Sequence, residues 1–193
     1  GPVDAAVVGE PTGLRPAVAQ KGLLLLEVTA KGKAAHAAWG VGVNAVHAAA
    51  RDIVALSELS FDRVHPVLGL PTLQVTQVEG GTRHNVIPER CKLVVDIRTT
   101  PAYSPGELTA LVRSKVKGDV FVRSERLKSV DVDPAHPVVR AALAARPGAD
   151  AFGSPTVSDW AFLAGIPAVK AGPGDSQRSH TADEYLTAAE LEE

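Results

Sequence analysis

Cysteine occurs once, as Cys91, and methionine not at all. A lone cysteine makes no internal disulfide and provides no thiolate cluster for a metal, so a reducing, cytoplasmic setting is expected. Aromatic residues amount to 4%, which leaves Ala, Val and Leu to build the core. Long apolar runs are missing too. The longest aliphatic stretch, Leu23 to Leu26, is far short of a membrane span. No charged segment followed by an apolar one opens the chain, so no signal peptide is read in it. Neither sign of charge dominates: 20 Lys and Arg stand against 22 Asp and Glu. That balance argues against a basic nucleic-acid binder, as does the lack of paired strand aromatics for stacking bases. Internal repeats are absent. What remains is ordinary globular composition, 45% hydrophobic and 22% charged over 193 residues, enough for one large domain or two small ones.

The middle of the chain carries the clearest pattern. Residues 23–30 (LLLLEVTA) read as a strand, 31–42 as a Gly- and Ala-rich loop, and 44–59 as an amphipathic helix. Residues 72–78 and 91–98 alternate as strands around a Glu79-Gly80-Gly81-Thr82 turn. Ser104-Pro105-Gly106-Glu107 has the form of a capping box opening a helix to about Val116, and residues 119–126 alternate again. Strand, helix, strand, strand, helix, strand is the split βαββαβ order of a ferredoxin-like domain, four strands with two helices on one face. The other face would meet solvent, another domain or a second copy.

The flanks differ. Residues 3–9 read as a buried strand, 134–145 as a helix, 159–164 as a short helix, 166–171 as a buried strand, and the final residues as the first turns of a helix. These pieces predict an α/β domain in two parts, residues 1–16 and 131–193, with the ferredoxin-like unit inserted as residues 17–130.

Four polar patches are not required by packing. Glu10 in Gly9-Glu10-Pro11-Thr12 follows an apolar strand and is either a turn carboxylate or a ligand at the strand's end. His36 sits among small residues in a Gly-rich loop, bonded to backbone or open to a ligand. Asn85 and Arg98 flank a strand, as a turn amide and a surface arginine or as donors to a substrate. His180 lies in a long polar loop after Gly172-Pro173-Gly174, where a neutral imidazole is a natural zinc ligand. Ser158-Asp159 reads as a helix cap.

Together, in this order, the strings VVGEPT, KGLLLLEVTAKGKAAHAA with its NAV helix, GGTRHNVIPERCKLVVDIR and GPGDSQRSHTADEYL resemble the M20 metallopeptidases, the group of acetylornithine deacetylase, acetyl-lysine deacetylase and succinyl-diaminopimelate desuccinylase. The resemblance covers essentially the whole chain. It implies a di-zinc hydrolase, with cobalt as an alternative metal, that removes an acyl group from an amino acid such as N-acetylornithine or N-acetyl-lysine in amino-acid biosynthesis. It implies an inserted lid domain that forms a homodimer. By position, Glu10 and His180 resemble metal ligands, one for each zinc. His36 resembles the lid histidine that stabilises the oxyanion in the partner's site. Asn85 and Arg98 resemble substrate-holding lid residues, and Gly172 to Gly174 line the pocket. Neither nucleic acid nor membrane is an expected partner.

Two departures stand out. The family's His-x-Asp motif and its acidic pair, which precede the GEP string, are absent. The expectation is a chain that begins after that half of the site, binds little or no metal alone and is inactive alone. A non-catalytic dimerisation or ligand-binding module is the alternative. The second departure is Trp39-Gly40, where the family usually has a proline nearby.

Overall fold

The computed structural model describes residues 3–163 and 165–192. The strands are β1 (Ala6–Val8), β2 (Ala17–Gln20), β3 (Gly22–Lys31), β4 (Ala35–His36), β5 (Thr72–Gly80), β6 (Val86–Ile87), β7 (Arg90–Thr99), β8 (Asp119–Leu127), β9 (Val130–Asp131), β10 (Phe152–Ser154) and β11 (Ala168–Lys170). The helices are α1 (Ala45–Ser57), α2 (Pro105–Lys115), α3 (Pro137–Ala145) and α4 (Ala188–Glu192), with 3-10 turns at Ala37–Trp39, Asp159–Phe162 and Ser176–Arg178. They fall into two compact units. One is Gly1–Gly22, His65–Gly69 and Leu127–Glu193; the other is Leu23–Val64 and Leu70–Arg126.

The second unit follows from alternation. Leu24, Leu26, Val28 and Ala30 of β3 and Cys91, Leu93, Val95 and Ile97 of β7 all point one way and are buried. Ala45, Ala49 and Leu56 of α1 and Leu108 and Val112 of α2 close over them. Core residues supplied every second position by a strand and every third or fourth by a helix are what pack a helix on a sheet. The strand order is β5-β7-β3-β8, with β5 antiparallel to β7. This is the ferredoxin-like arrangement expected from the sequence.

The opposite face of β3 is mixed, with Leu23 and Leu25 followed by Glu27 and Thr29. Glu27 accepts Lys92 of β7 at 2.7 Å and faces Arg123 of β8 at 3.7 Å. On the same face of β8, Phe121 is exposed.

The helix ends are set as the residues dictate. Asn44 Oδ1 accepts the N–H groups of Val46 and His47 and starts α1. Ser104 and Glu107 form the capping box of α2. Asp52, buried on α1, accepts the N–H groups of Lys117 and Gly118 and ties the turn before β8 to the helix. Tyr103 does the same for the chain after α1, accepting from the N–H groups of Asp62 and Arg63.

The first unit is a mixed sheet ordered β1-β11-β2-β10, with β9 also on β2. β1 and β11 are parallel, as are β2 and β10, while β11 and β9 run antiparallel to β2. Val18, Val132, Val139, Trp160, Ala168 and Val169 form its core. His65–Gly69 belongs to it as well; the His65 ring, buried, accepts Val67 and Leu68 N–H at Nδ1 and meets Asp131 through Nε2 at 3.3 Å.

Several local expectations are corrected. The opening strand lies at the edge of the sheet among the described residues: β1 pairs there with β11 alone, and Val7 is 66% exposed. β2, assigned by sequence to the insertion beginning at residue 17, hydrogen-bonds into the first unit's sheet, as does its four-residue buried pattern. The stretch expected as loop at 31–42 contains β4, paired with β6, and a 3-10 turn. α3 starts at Pro137 because His136 caps it through Nδ1. The helix expected at 159–164 is a 3-10 turn over Asp159–Phe162, and Ala164 lies outside the described residues. The final helix is described to Glu192.

Candidate functional site

In the first unit, the parallel pair β1 and β11 delivers two loops to the same end, the carboxyl end of both strands, where α/β folds place ligands. Residues 9–14 leave β1 and residues 171–176 leave β11. They are stitched together by backbone: Thr12 and Leu14 N–H donate to Gly172 C=O at 3.0 and 2.9 Å, and Gly13 N–H to Gly174 C=O at 2.7 Å. Ser176 hydroxyl donates to Pro11 C=O at 2.6 Å. Gly172 is required by this closeness, since a side chain there would strike the backbone of Glu10. Gly172 and Gly174, expected as pocket residues, are both buried, and only Gly174 keeps a left-handed backbone, φ +87°.

Glu10, half-buried, and His180, exposed, line one open cleft of about 440 Å³ with Ser158, Asp159, Phe162 and Glu184 among its walls. His180 has φ +62°, the left-handed region that non-glycine residues seldom occupy, and its N–H donates to Glu184 at 3.3 Å. Strain of that kind persists where surrounding structure holds it, often at functional positions. Asp159 and Glu184 were not expected in the cleft. Asp159 had read as part of a cap, and Glu184 as an acid too far along the chain; a carboxylate four residues from His180 was the available signal.

The floor of this unit holds a buried polar network that the sequence did not reveal. Lys170, only 2% exposed, donates from Nζ to the carbonyl and hydroxyl oxygens of Thr156 at 3.2 and 3.1 Å. Burial lowers its pKa, and the nearby negative charge of Glu10 works in the opposite direction. Ser158 hydroxyl donates to the buried Gln20 at 2.6 Å. Within Ile166-Pro167-Ala168-Val169-Lys170-Ala171, an apolar run hid one charged residue that the fold turns inward.

Glu10 and His180 are suitable donors for a divalent metal, a carboxylate and an imidazole. Their number falls short: catalytic zinc takes three protein ligands, and among the described residues no three His, Cys, Asp or Glu side chains are grouped to hold one ion.

The remaining candidates lie in the second unit. β4 and β6 pair His36 with Val86, and Ala37 N–H donates to Asn85 C=O at 3.0 Å, so His36 and Asn85 share one end of this unit. His36 Nδ1 accepts Ala38 N–H at 3.2 Å. A neutral imidazole held that way carries its proton on Nε2 and is a donor there. Arg98 is elsewhere. It stands eight residues along β7 from Arg90, on the order of 27 Å at the rise of an antiparallel strand. Its guanidinium already grips Asp96 by two bonds of 2.9 and 3.1 Å.

Residues 18–120 match the peptidase dimerisation domain of the M20 family. Acetylornithine deacetylase of Myxococcus xanthus is 30% identical over 203 residues, covering 96% of this chain and 53% of the relative. That of Shigella sonnei is 29% identical over 207 residues, covering 95% and 52%. The chain thus spans about half the length of the curated relatives it matches. In fold it resembles the aminopeptidase PepT of Bacillus cereus, with a TM-score of 0.75 at 22% identity over 98% of this chain and 54% of that one. It also resembles a tripeptidase of Staphylococcus aureus, with a TM-score of 0.71 at 21% identity over 98% and 53%. With its dimerisation domain matched over more than half its length and its ferredoxin-like topology in agreement, this chain belongs to the M20 peptidase family.

Proposed function

We propose that this chain carries the lid and part of the active site of a metal-dependent amidohydrolase that removes the acyl group from an N-acyl amino acid of the N-acetylornithine type. The observation that carries the reading is that Glu10 and His180, 170 positions apart in the sequence, line one cleft at the carboxyl ends of parallel strands. The acetylornithine deacetylases to which the chain is similar support the substrate class.

Glu10 and His180 would hold divalent metal, zinc in the first instance, which when bound polarises an amide carbonyl and activates water. With two donors in this chain, the remaining ligands and the general base come from outside these residues, and the chain alone is inactive. His36, with its Nε2–H outward, donates to the oxyanion that develops on the substrate carbonyl. Asn85 and Arg98 hold the substrate's polar groups. His36 and Asn85 share one end of the lid, and in a homodimer His36 serves the site of a second copy. Gly172 and Gly174 shape the pocket wall beside Glu10.

The test is release of acetate from N-acetylornithine by the full-length parent protein loaded with zinc or cobalt. Glu10→Ala and His180→Ala are expected to lose activity together with bound metal. His36→Ala is expected to keep its metal and lose turnover by about 100-fold. Absence of hydrolysis of any N-acyl amino acid by the metal-loaded parent would overturn the reading and favour a non-catalytic dimerisation module.

A further inference from the structure

Trp39 is a large apolar side chain that the core does not use. It is 73% exposed, in the loop between Lys33 and Val43. The loop around it is not slack. Lys33 and Val43 bond to each other in both directions at 2.8 and 3.0 Å and close its base. β4 pairs with β6, and Ala37 N–H reaches Asn85 C=O, so its middle is pinned as well. Gly40, at φ +61°, ends the 3-10 turn Ala37–Trp39 in a conformation that suits glycine. Gly42 is packed so closely against Lys33 C=O and Ala35 that a side chain has no room. A rigid frame therefore presents one indole, and that indole lies against His36: the ring centroids are 5.4 Å apart with planes tilted by 31°.

An imidazole swings about a soft terminal torsion with two broad wells. Here it is held on two sides. Ala38 N–H engages Nδ1, and the tilted indole lies beside the ring. Only Nε2–H is left to point outward.

We propose that Trp39 is a positioning residue for His36, fixing the plane and the flip state of the imidazole so that Nε2–H is the group offered to a ligand. Its catalytic meaning rests on the reading of His36 as the lid's proton donor; the claim about the ring does not. An exposed tryptophan beside a donor histidine lowers the reorganisation needed when negative charge develops in front of it.

Two measurements test it, with Trp39→Ala and Trp39→Phe. In this chain, nitrogen NMR of the neutral His36 ring is expected to show one tautomer, Nε2–H, in the parent and in Trp39→Phe, and a mixture in Trp39→Ala. Circular dichroism is expected to stay unchanged, since an exposed side chain is removed. In the full-length enzyme, Trp39→Ala is expected to lower kcat by about three- to tenfold with KM within twofold, and Trp39→Phe to restore most of it. An unchanged tautomer in Trp39→Ala overturns the proposal. So does a rise in KM at constant kcat, which makes Trp39 a binding surface, and so does a Phe variant as impaired as Ala. If the full-length protein hydrolyses no N-acyl amino acid, the functional reading fails, and the NMR result still decides the role of Trp39.

Discussion

The α-carbon of Gly172 faces the backbone of Glu10 so closely that a methyl group on it would stand 2.7 Å from the Glu10 carbonyl oxygen. The obstruction is main chain, which no side-chain rotation relieves. The two loops at the ends of β1 and β11 are thereby locked together, and the position of the Glu10 carboxylate depends on a residue 162 places away.

Gly172→Ala is therefore expected to displace the Glu10 loop and break the bonds from Thr12 and Leu14 N–H to the residue 172 carbonyl. A cost of about 1–3 kcal/mol is expected for such overpacking. Urea denaturation measures it, and in the full-length protein bound metal falls with it. An Ala variant of undiminished stability and metal content would show the contact to be soft.

Asp52 is 4% exposed and satisfies two main-chain donors in the turn before β8. Asp52→Ala is expected to cost about 2–3 kcal/mol, since it leaves two N–H groups without their acceptor. The denaturation midpoint of the second unit reports it. A midpoint unchanged from the parent would mean that solvent replaces the carboxylate freely.

Acid sensitivity has a definite sign. Bonds from the Ser104 N–H, then the Ser104 hydroxyl, then Arg63 hold the Glu107 carboxyl at about 2, against an ordinary 4.5. Between those values the unfolded chain binds the extra proton and the folded chain does not. The contribution of Glu107 is therefore complete above about pH 5 and is lost as pH falls through 4.5 toward 2. Glu107→Gln is expected to flatten that part of the stability profile. Equal slopes in parent and variant would exclude Glu107 as a source of acid lability.

The second unit was legible in the sequence because its signals are long and mutually consistent. Two ten-residue apolar strands, an amphipathic helix and a Ser-x-x-Glu box each favour one structure, and the tertiary contacts agree. The first unit was less so. β2, β9, β10 and β11 have two to four residues each, too few to establish a period, and Gln20 and Lys170 break the apolar rule because partners elsewhere satisfy them. β1 looked buried because its residues are apolar, yet apolar composition does not say how many neighbours a strand has. Glu10, His36 and His180 stood out as polar residues unclaimed by packing. Asp159, Glu184 and Thr156 did not, since their surroundings are assembled only by the fold.

Cys91 sits fully buried opposite Gly80 in the last pair of the β5 and β7 ladder, and its burial pushes the thiol's pKa up. Each molecule thus contains a single sulfur that a reagent meets only when those strands part. The pace of alkylation in native buffer becomes a clock for spontaneous opening of the dimerisation domain, readable without an introduced label. Weakening that domain, as in Asp52→Ala, would make the clock run faster by the factor that the lost stability dictates.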